Sequence, residues 1–306
     1  MELTPLRYFV AIARSGRLTL AARELGVGQP ALSAALKKLE ADVGAPLLDR
    51  TGRGVELTEA GRVFLEHARE AVRSADEAAR AVRELEGLER GVIRVGGGAT
   101  AVGSILPPVV SAVRRAHPGL RFYVREAGSA AVASAVVAGE LDLAVVTRPI
   151  AIAGRGELLE TPLAVDELRL IVPPDHRLAG RRTFRWSELD GEPLVAFEAG
   201  SAVRTVIDAA VERAGVRLDV AMELRSIGSI RRMVAAGVGV GFVSRFALEE
   251  GAAGGERESG TGLGCRDGRL TRELAVVRRG DRVPSAAAAA FERVLLAGRR
   301  GGHRAR

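Results

Sequence analysis

Cysteine is almost absent from this 306-residue chain: Cys265 stands alone, so no intramolecular disulfide can form. Histidine is nearly as scarce, and His67, His117, His176 and His303 are scattered without ligand spacing, so neither a metal site nor a cofactor is expected. No uncharged apolar run approaches the ~20 residues a membrane span needs. The opening residues, MELTPLRYFVAIARSG, lack a basic region followed by an apolar core and a cleavage site. These absences point to a soluble cytoplasmic protein with no membrane partner. There is no G-x-S-x-G, and Gly237, Gly239 and Gly241 lie after a helical segment and before a strand, the reverse of a dinucleotide fingerprint, which argues against an enzyme.

An excess of positive charge is also missing where it would be most telling. The chain carries a net charge of +7, yet residues 1–90 hold 14 Lys+Arg and 14 Asp+Glu, so the surplus lies entirely beyond them. Any affinity of the N-terminal part for nucleic acid must therefore rest on the placement of charge, not its total. Part of the surplus is a basic tail, residues 299–306, with Arg299, Arg300, Arg304 and Arg306. It reads either as a solvated tail or as a second DNA contact.

What is present is clearest in residues 18–58, LTLAARELGVGQPALSAALKKLEADVGAPLLDRTGRGVELT. Ala21, Ala22 and Leu25 sit at helical spacing, Gly26 supplies a turn, and Gln29 and Pro30 open a second helix. That helix places Leu32, Ala35, Leu36, Leu39 and Val43 on one face, and Gln29, Pro30, Ser33, Ala34, Lys37 and Ala41 on the other. An ordinary amphipathic helix of a bundle would look the same. The ribbon that follows, with a Gly52-Arg53-Gly54 tip and Val55 and Leu57 alternating with Glu56, separates the two readings: this is the layout of a winged helix-turn-helix. Gln29, Pro30, Ser33 and Lys37 are candidates for groove contact, with Lys38, Arg50 and Arg53 placed to grip phosphates.

Running in order through LRYFVAIARSG, LTLAARELGVGQPALSAALKKLEADVGAPLLDR, the wing and LTEAGRVFL, the sequence closely resembles the LysR-type transcriptional regulators. It departs from the family pattern at Gly28, where Ser usually caps the second helix, and at Ala34, where a polar or basic residue often stands. Glycine caps a helix at small cost. Alanine at 34 removes a contact to a base or phosphate.

From Thr58 the chain enters a long helix, residues 59–90, in which Phe64, Ala68, Ala71, Ala75, Ala78, Val82 and Leu85 recur at alternating spacings of three and four. The seam is alanine-rich, so it permits close approach but buries little, and packing against its own domain is the alternative to a dimer contact. In the resembled family this is the linker helix joining two DNA-binding domains. The resemblance thus implies a homodimer or homotetramer, an interrupted palindromic operator in double-stranded DNA, and RNA polymerase as a partner.

Residues 91–298 change rhythm. GVIRVGG, LRFYVREAG, ELDLAVVT, LRLIVP, PLVAFEAG, VAMELRS, VGVGFVS and TRELAVVRR read as strands. Between them SILPPVVSAVRRAH, SAAVASAVVAG, SAVRTVIDAAVERAG, IGSIRRMVAAG and PSAAAAAFERVLLAG read as helices. The alternation implies a parallel sheet covered on both faces. Its two units are a first lobe at about residues 91–162 and 269–298 and a second at about 163–250. The glycine-rich stretch 251–268 between them is expected to be mobile. In family terms this is the bilobal, periplasmic-binding-protein-like effector domain, so the predicted architecture is α/β overall: winged helix-turn-helix at residues 1–58, linker helix, effector domain.

Thr100, Ser129, Ser201 and Ser226 each fall where a strand hands over to a helix, and Arg204 lies one turn into its helix. Each hydroxyl alone is an ordinary cap. Together with the Arg, and with Thr147 at the end of a central strand, they point to a small anionic effector in the interlobe cleft. The run ELRSIGSIRRMVAAGVGVGFVS is similar to the branch of the family controlling carbon fixation and sulfur assimilation. A stand-alone solute-binding protein would share the second module but not the winged helix.

Overall fold

The computed structural model describes residues 2–51, 54–84, 91–253 and 262–298, and the chain divides into two compact units, Met1–Glu86 and Gly87–Arg306. The tail, Arg53 and Leu85 lie outside the described residues, as do the side chains of Arg50 and Val82.

In the first unit α1 (Leu3–Ser15), α2 (Leu18–Leu25) and α3 (Gln29–Val43) precede a hairpin of β1 (Leu48–Thr51) and β2 (Gly54–Leu57), and α4 (Glu59–Glu84) closes it. Leu6, Phe9 and Ile12 of α1, Ala21 and Ala22 of α2, and Leu32, Leu36 and Leu39 of α3 share one core with Leu47, Leu65 and Ala68. The turn between α2 and α3 needs the left-handed backbone of Gly26, φ +67°. The hairpin is tied down where the Val55 N–H donates to the Gly16 carbonyl at 2.9 Å. Thr58 caps α4, its Oγ1 accepting from the Gly61 N–H at 2.9 Å and donating to the Pro46 carbonyl at 2.8 Å. At Gly61 the chain passes so close to the Leu47 carbonyl that a Cβ would stand 1.9 Å from its oxygen, so only glycine lets α4 meet the hairpin.

The second unit runs β3 (Gly91–Gly97), a π-helical turn (Ala101–Ile105), α5 (Leu106–Ala116), β4 (Leu120–Glu126), α6 (Ser129–Val137), β5 (Leu143–Thr147), β6 (Leu158–Ile171) and β7 (Thr183–Phe184). It continues through β8 (Pro193–Phe197), α7 (Ala202–Ala214), β9 (Asp219–Leu224), α8 (Ile227–Ala235), β10 (Val240–Ser244), α9 (Arg245–Ala253), β11 (Gly264–Cys265), β12 (Thr271–Arg279) and α10 (Ala286–Ala297). One sheet holds most of these strands in the order β4-β3-β5-β12-β6-β10-β8-β9.

The sheet is parallel at both ends, as expected, but antiparallel in the middle, where β12 pairs with β5 and β6, and β6 pairs with β10. The reason is topological. The chain leaves the first lobe along β6 and returns along β12, so the two crossing strands run in opposite directions. Consequently β6 is one strand through the expected lobe boundary at 162/163: Leu163 belongs to the first lobe's core and Leu168 to the second's.

The segment expected to be a mobile insertion is partly built into the second lobe. Residues 254–261 lie outside the described residues, but Leu263 is buried and exchanges backbone hydrogen bonds with Leu170 at 2.8 and 3.0 Å. Beyond it β11 pairs with β7, and the Asp267 carboxylate accepts from the Trp186 N–H at 2.8 Å. Leu263→Ala should therefore destabilise the protein by about 2–5 kcal/mol in denaturant melts, the cost of a core cavity; an unchanged midpoint would place Leu263 outside the core.

Candidate functional site

Each lobe ends its strands on one edge, and between those edges lies a cavity of about 450 Å³. Thr100, Ser129, Thr147 and Ser201, four of the residues singled out in the sequence, line it together. They converge because each follows a strand whose carboxyl end meets a helix: β3 before Thr100, β4 before Ser129, β8 before Ser201, with Thr147 closing β5. Two others do not line it. Arg204 turns to Asp208 Oδ1 at 2.7 Å, Glu223 Oε1 at 3.0 Å and the Phe197 carbonyl at 3.0 Å. Ser226 caps α8 and borders a neighbouring recess with Gly103 and Arg231.

Two cations do reach the cavity, Arg225 and Arg272, neither of them singled out in the sequence; the buried one is Arg272 of β12. It is only 6% exposed, and its Nη2 donates to Thr100 Oγ1 at 2.7 Å while Nη1 reaches Thr147 Oγ1 at 3.3 Å. On its other side Nε donates to Oδ2 of Asp166, which is 1% exposed, at 2.8 Å. The second carboxylate oxygen accepts from Ser244 Oγ at 2.8 Å. Asp166 lies opposite Arg272 in the register of β6 with β12. A buried charge pair is tolerable only when so fully hydrogen-bonded. At the cavity's mouth the Arg225 guanidinium grips Glu198 with two bonds of 2.6 and 2.7 Å, raising the Arg225 pKa and lowering that of Glu198.

The hydroxyls have a common polarity. Thr100 and Thr147 accept from Arg272, Ser129 Oγ accepts from the Thr147 N–H at 2.9 Å, and Ser201 Oγ accepts from the Arg204 N–H at 3.3 Å. None of the four donates to another group among the described residues. Their O–H protons are thus available to a ligand that accepts hydrogen bonds.

In the first unit, Gln29, Pro30, Ala34 and Lys37 of α3 are exposed and Ser33 is half-buried, with Leu32, Leu36 and Leu39 turned into the core. Lys38 instead pairs with Glu2 at 2.9 Å, which raises its pKa. Arg50 is placed in β1 by its backbone. Along α4 the seam divides. Phe64 packs edge-on against Phe9 at 5.5 Å between ring centroids and Ala68 is buried, so both serve their own unit's core, while Ala71 and Ala78 are exposed and Ala75 half-buried. The packing alternative holds for the helix's first turns because α1 lies against them.

Residues 3–62 match the model of the bacterial regulatory helix-turn-helix protein, lysR family, and residues 86–300 match the LysR substrate binding domain. A probable RuBisCO transcriptional regulator of Synechocystis is 32% identical over 299 residues, covering 96% of this chain and 85% of that protein. Among solved structures, a full-length OxyR variant from Pseudomonas aeruginosa superposes with a TM-score of 0.70 at 24% identity, covering 98% of this chain and 95% of that one. The Synechocystis CcmR regulatory domain in complex with 2-PG gives 0.61 at 21%, covering 70% and 99%. Among the described residues no helix is long and apolar enough to cross a membrane, and no cluster of His, Cys, Asp or Glu could hold a metal ion.

Removing one member of the buried pair should be costly. Asp166→Ala leaves Arg272 buried and unopposed and should destabilise the protein by about 3–5 kcal/mol, whereas Asp166→Leu combined with Arg272→Met should recover most of it. Equal denaturation midpoints for Asp166→Ala and the wild type would show that the two charges do not depend on each other.

Proposed function

The chain belongs to the LysR family of bacterial transcriptional regulators, and from that premise we propose that the interlobe cavity takes a small anionic metabolite whose binding sets the activity of a promoter. The observation that carries this is the polarity of the cavity: Thr100, Ser129 and Thr147 hydroxyls that each accept a hydrogen bond from the protein and donate none among the described residues, beside a buried Arg, keep their protons for an acceptor. The 2-PG bound by the CcmR domain, 2-phosphoglycolate, is an anion of this kind, and the 32%-identical Synechocystis relative is named a probable RuBisCO transcriptional regulator. Thr100, Ser129, Thr147 and Ser201 would bind the ligand, with Arg272 behind them. Arg204 and Ser226 would support the walls of the cleft from outside.

On the DNA side, the exposed Gln29, Pro30 and Lys37 and the half-buried Ser33 of α3 would face a major groove, with Arg50 of β1 and Arg53, which the sequence puts at the hairpin tip, taking phosphates. Lys38 would reach DNA only by leaving Glu2. Two such units in a homodimer or homotetramer, joined along the Ala71, Ala75 and Ala78 stretch of α4 with Val82 and Leu85, would read an interrupted palindrome in the cytoplasm and present RNA polymerase with an altered promoter complex. A solute-binding role without DNA is disfavoured by the match of residues 3–62 to a regulatory helix-turn-helix. The family is one of regulators, not enzymes.

The ligand can shift the promoter equilibrium only by its difference in affinity for the two states of the protein. Thr100→Val, which deletes one donor, should weaken anion binding by about 1–1.5 kcal/mol in calorimetry and leave operator affinity without ligand unchanged. Lys37→Ala should do the reverse, costing about 1–3 kcal/mol of operator affinity in footprinting titrations if it reads a base edge. If Thr100→Val responds to anion as the wild type does, the cavity is misassigned; if Lys37→Ala binds the operator normally, the groove-facing side of α3 is.

A further inference from the structure

We propose that the ligand is a two-ended anion, one end held among the Thr100, Ser129 and Thr147 hydroxyls and the other by Arg225, which exchanges Glu198 for it. This rests on the reading of the cavity as an anion site and adds the ligand's shape and the residue that selects it.

The cavity is the first reason. About 450 Å³ is the size of a site for a small organic molecule, and a single tetrahedral oxyanion at the hydroxyls would leave most of it to water. The second is the contrast between the cavity's two guanidinium groups. Arg272 cannot change partners: Asp166 faces it across the strand pair, is held from behind by Ser244, and has no exposed side-chain surface. Arg225 can. It is 82% exposed and its partner Glu198 47% exposed, so although the pair is bidentate, both groups can be resolvated by water when they part, and a change of partner strands no buried charge. Both members line the cavity, where Glu198 directly follows β8 and Arg225 directly follows β9.

The third reason is position. Thr100, Ser129 and Thr147 belong to the first lobe's edge, Arg225 and Glu198 to the second's. A molecule with one anionic group at each end therefore meets a charged group of the second lobe as well as the first lobe's hydroxyls, whereas a single-ended one held at those hydroxyls meets only the Ser201 hydroxyl there. The remaining acid at the cavity, Glu126, makes no ion pair among the described residues, so its charge repels an anion and has no cation to release. Arg204 is already spoken for by Asp208 and Glu223. Arg225 is thus the cation that a ligand's outer end can recruit, and Glu198 is the competitor it displaces.

Calorimetry on the full-length chain tests this with three probes: inorganic phosphate and glycolate, each single-ended, and 2-phosphoglycolate, which carries both groups. The wild type should bind phosphoglycolate at least tenfold tighter than either fragment. Arg225→Ala should abolish that advantage while changing phosphate affinity less than twofold, and Glu198→Gln should tighten phosphoglycolate several-fold, since Arg225 is then free. Both positions are exposed, so unchanged melting temperatures verify the fold. If phosphoglycolate affinity is unmoved by Arg225→Ala, or if phosphate falls with it in equal proportion, the two-ended reading is wrong while the anion site stands. If the wild type binds none of the three, the anion site falls as well.

Discussion

The ion pair of Asp166 and Arg272 is the constraint on which the second unit turns. Both residues sit on the strands that cross between the lobes, directly opposite one another in register. A slip by one residue would carry both charges out of contact and expose one strand's apolar set. The pair therefore pins β12 against β6. By pinning β12 it also aims the guanidinium at Thr100 and Thr147, whose oxygens accept from it. The bonds that hold the fold here are also those that orient the cavity's polar groups.

A cavity built this way combines a rigid floor with an adjustable mouth. Arg272 is neutralised internally, so it contributes direction and donors without adding an uncompensated charge that would hold any anion indiscriminately. The solvent-exposed pair of Arg225 and Glu198 stands at the entrance, where water can take the place of either partner. In the proposed reading, Arg225 of the second lobe discriminates between ligands that the hydroxyls hold in common. That division suits a regulator, because a ligand that engages both lobes has different affinities for their separate and apposed states, the condition for shifting an equilibrium.

Much of this was legible in the sequence, and the reasons differ residue by residue. Thr100, Ser129, Thr147 and Ser201 come together at one cavity, as their places in the sequence predict, because the carboxyl ends of the strands of an α/β sheet share an edge. Arg204 was placed in the cavity because it lies one turn after Ser201, but Asp208 one turn further on and Glu223 on β9 draw it away. Asp166 and Arg272 were missed because they lie inside strands, where polar residues ordinarily mark the wet face. The signal was there in the parity: Asp166 alternates in step with Leu168 and Leu170, and Arg272 with Leu274 and Val276, all of them buried. Two opposite charges, each on the dry face of its strand, must meet or remain unsatisfied. In the first unit the heptad spacing of α4 was real, but spacing alone cannot say whose core a stripe enters. Phe9, on another helix, claims Phe64.

The most direct test is a crystal structure of the full-length chain grown with 2-phosphoglycolate. The account predicts an anionic oxygen within about 2.6–3.0 Å of both Thr100 Oγ1 and Thr147 Oγ1, with Asp166 still bonded to Arg272. An anion bound away from those hydroxyls, or an Arg272 that abandons Asp166 to reach the ligand, would contradict it.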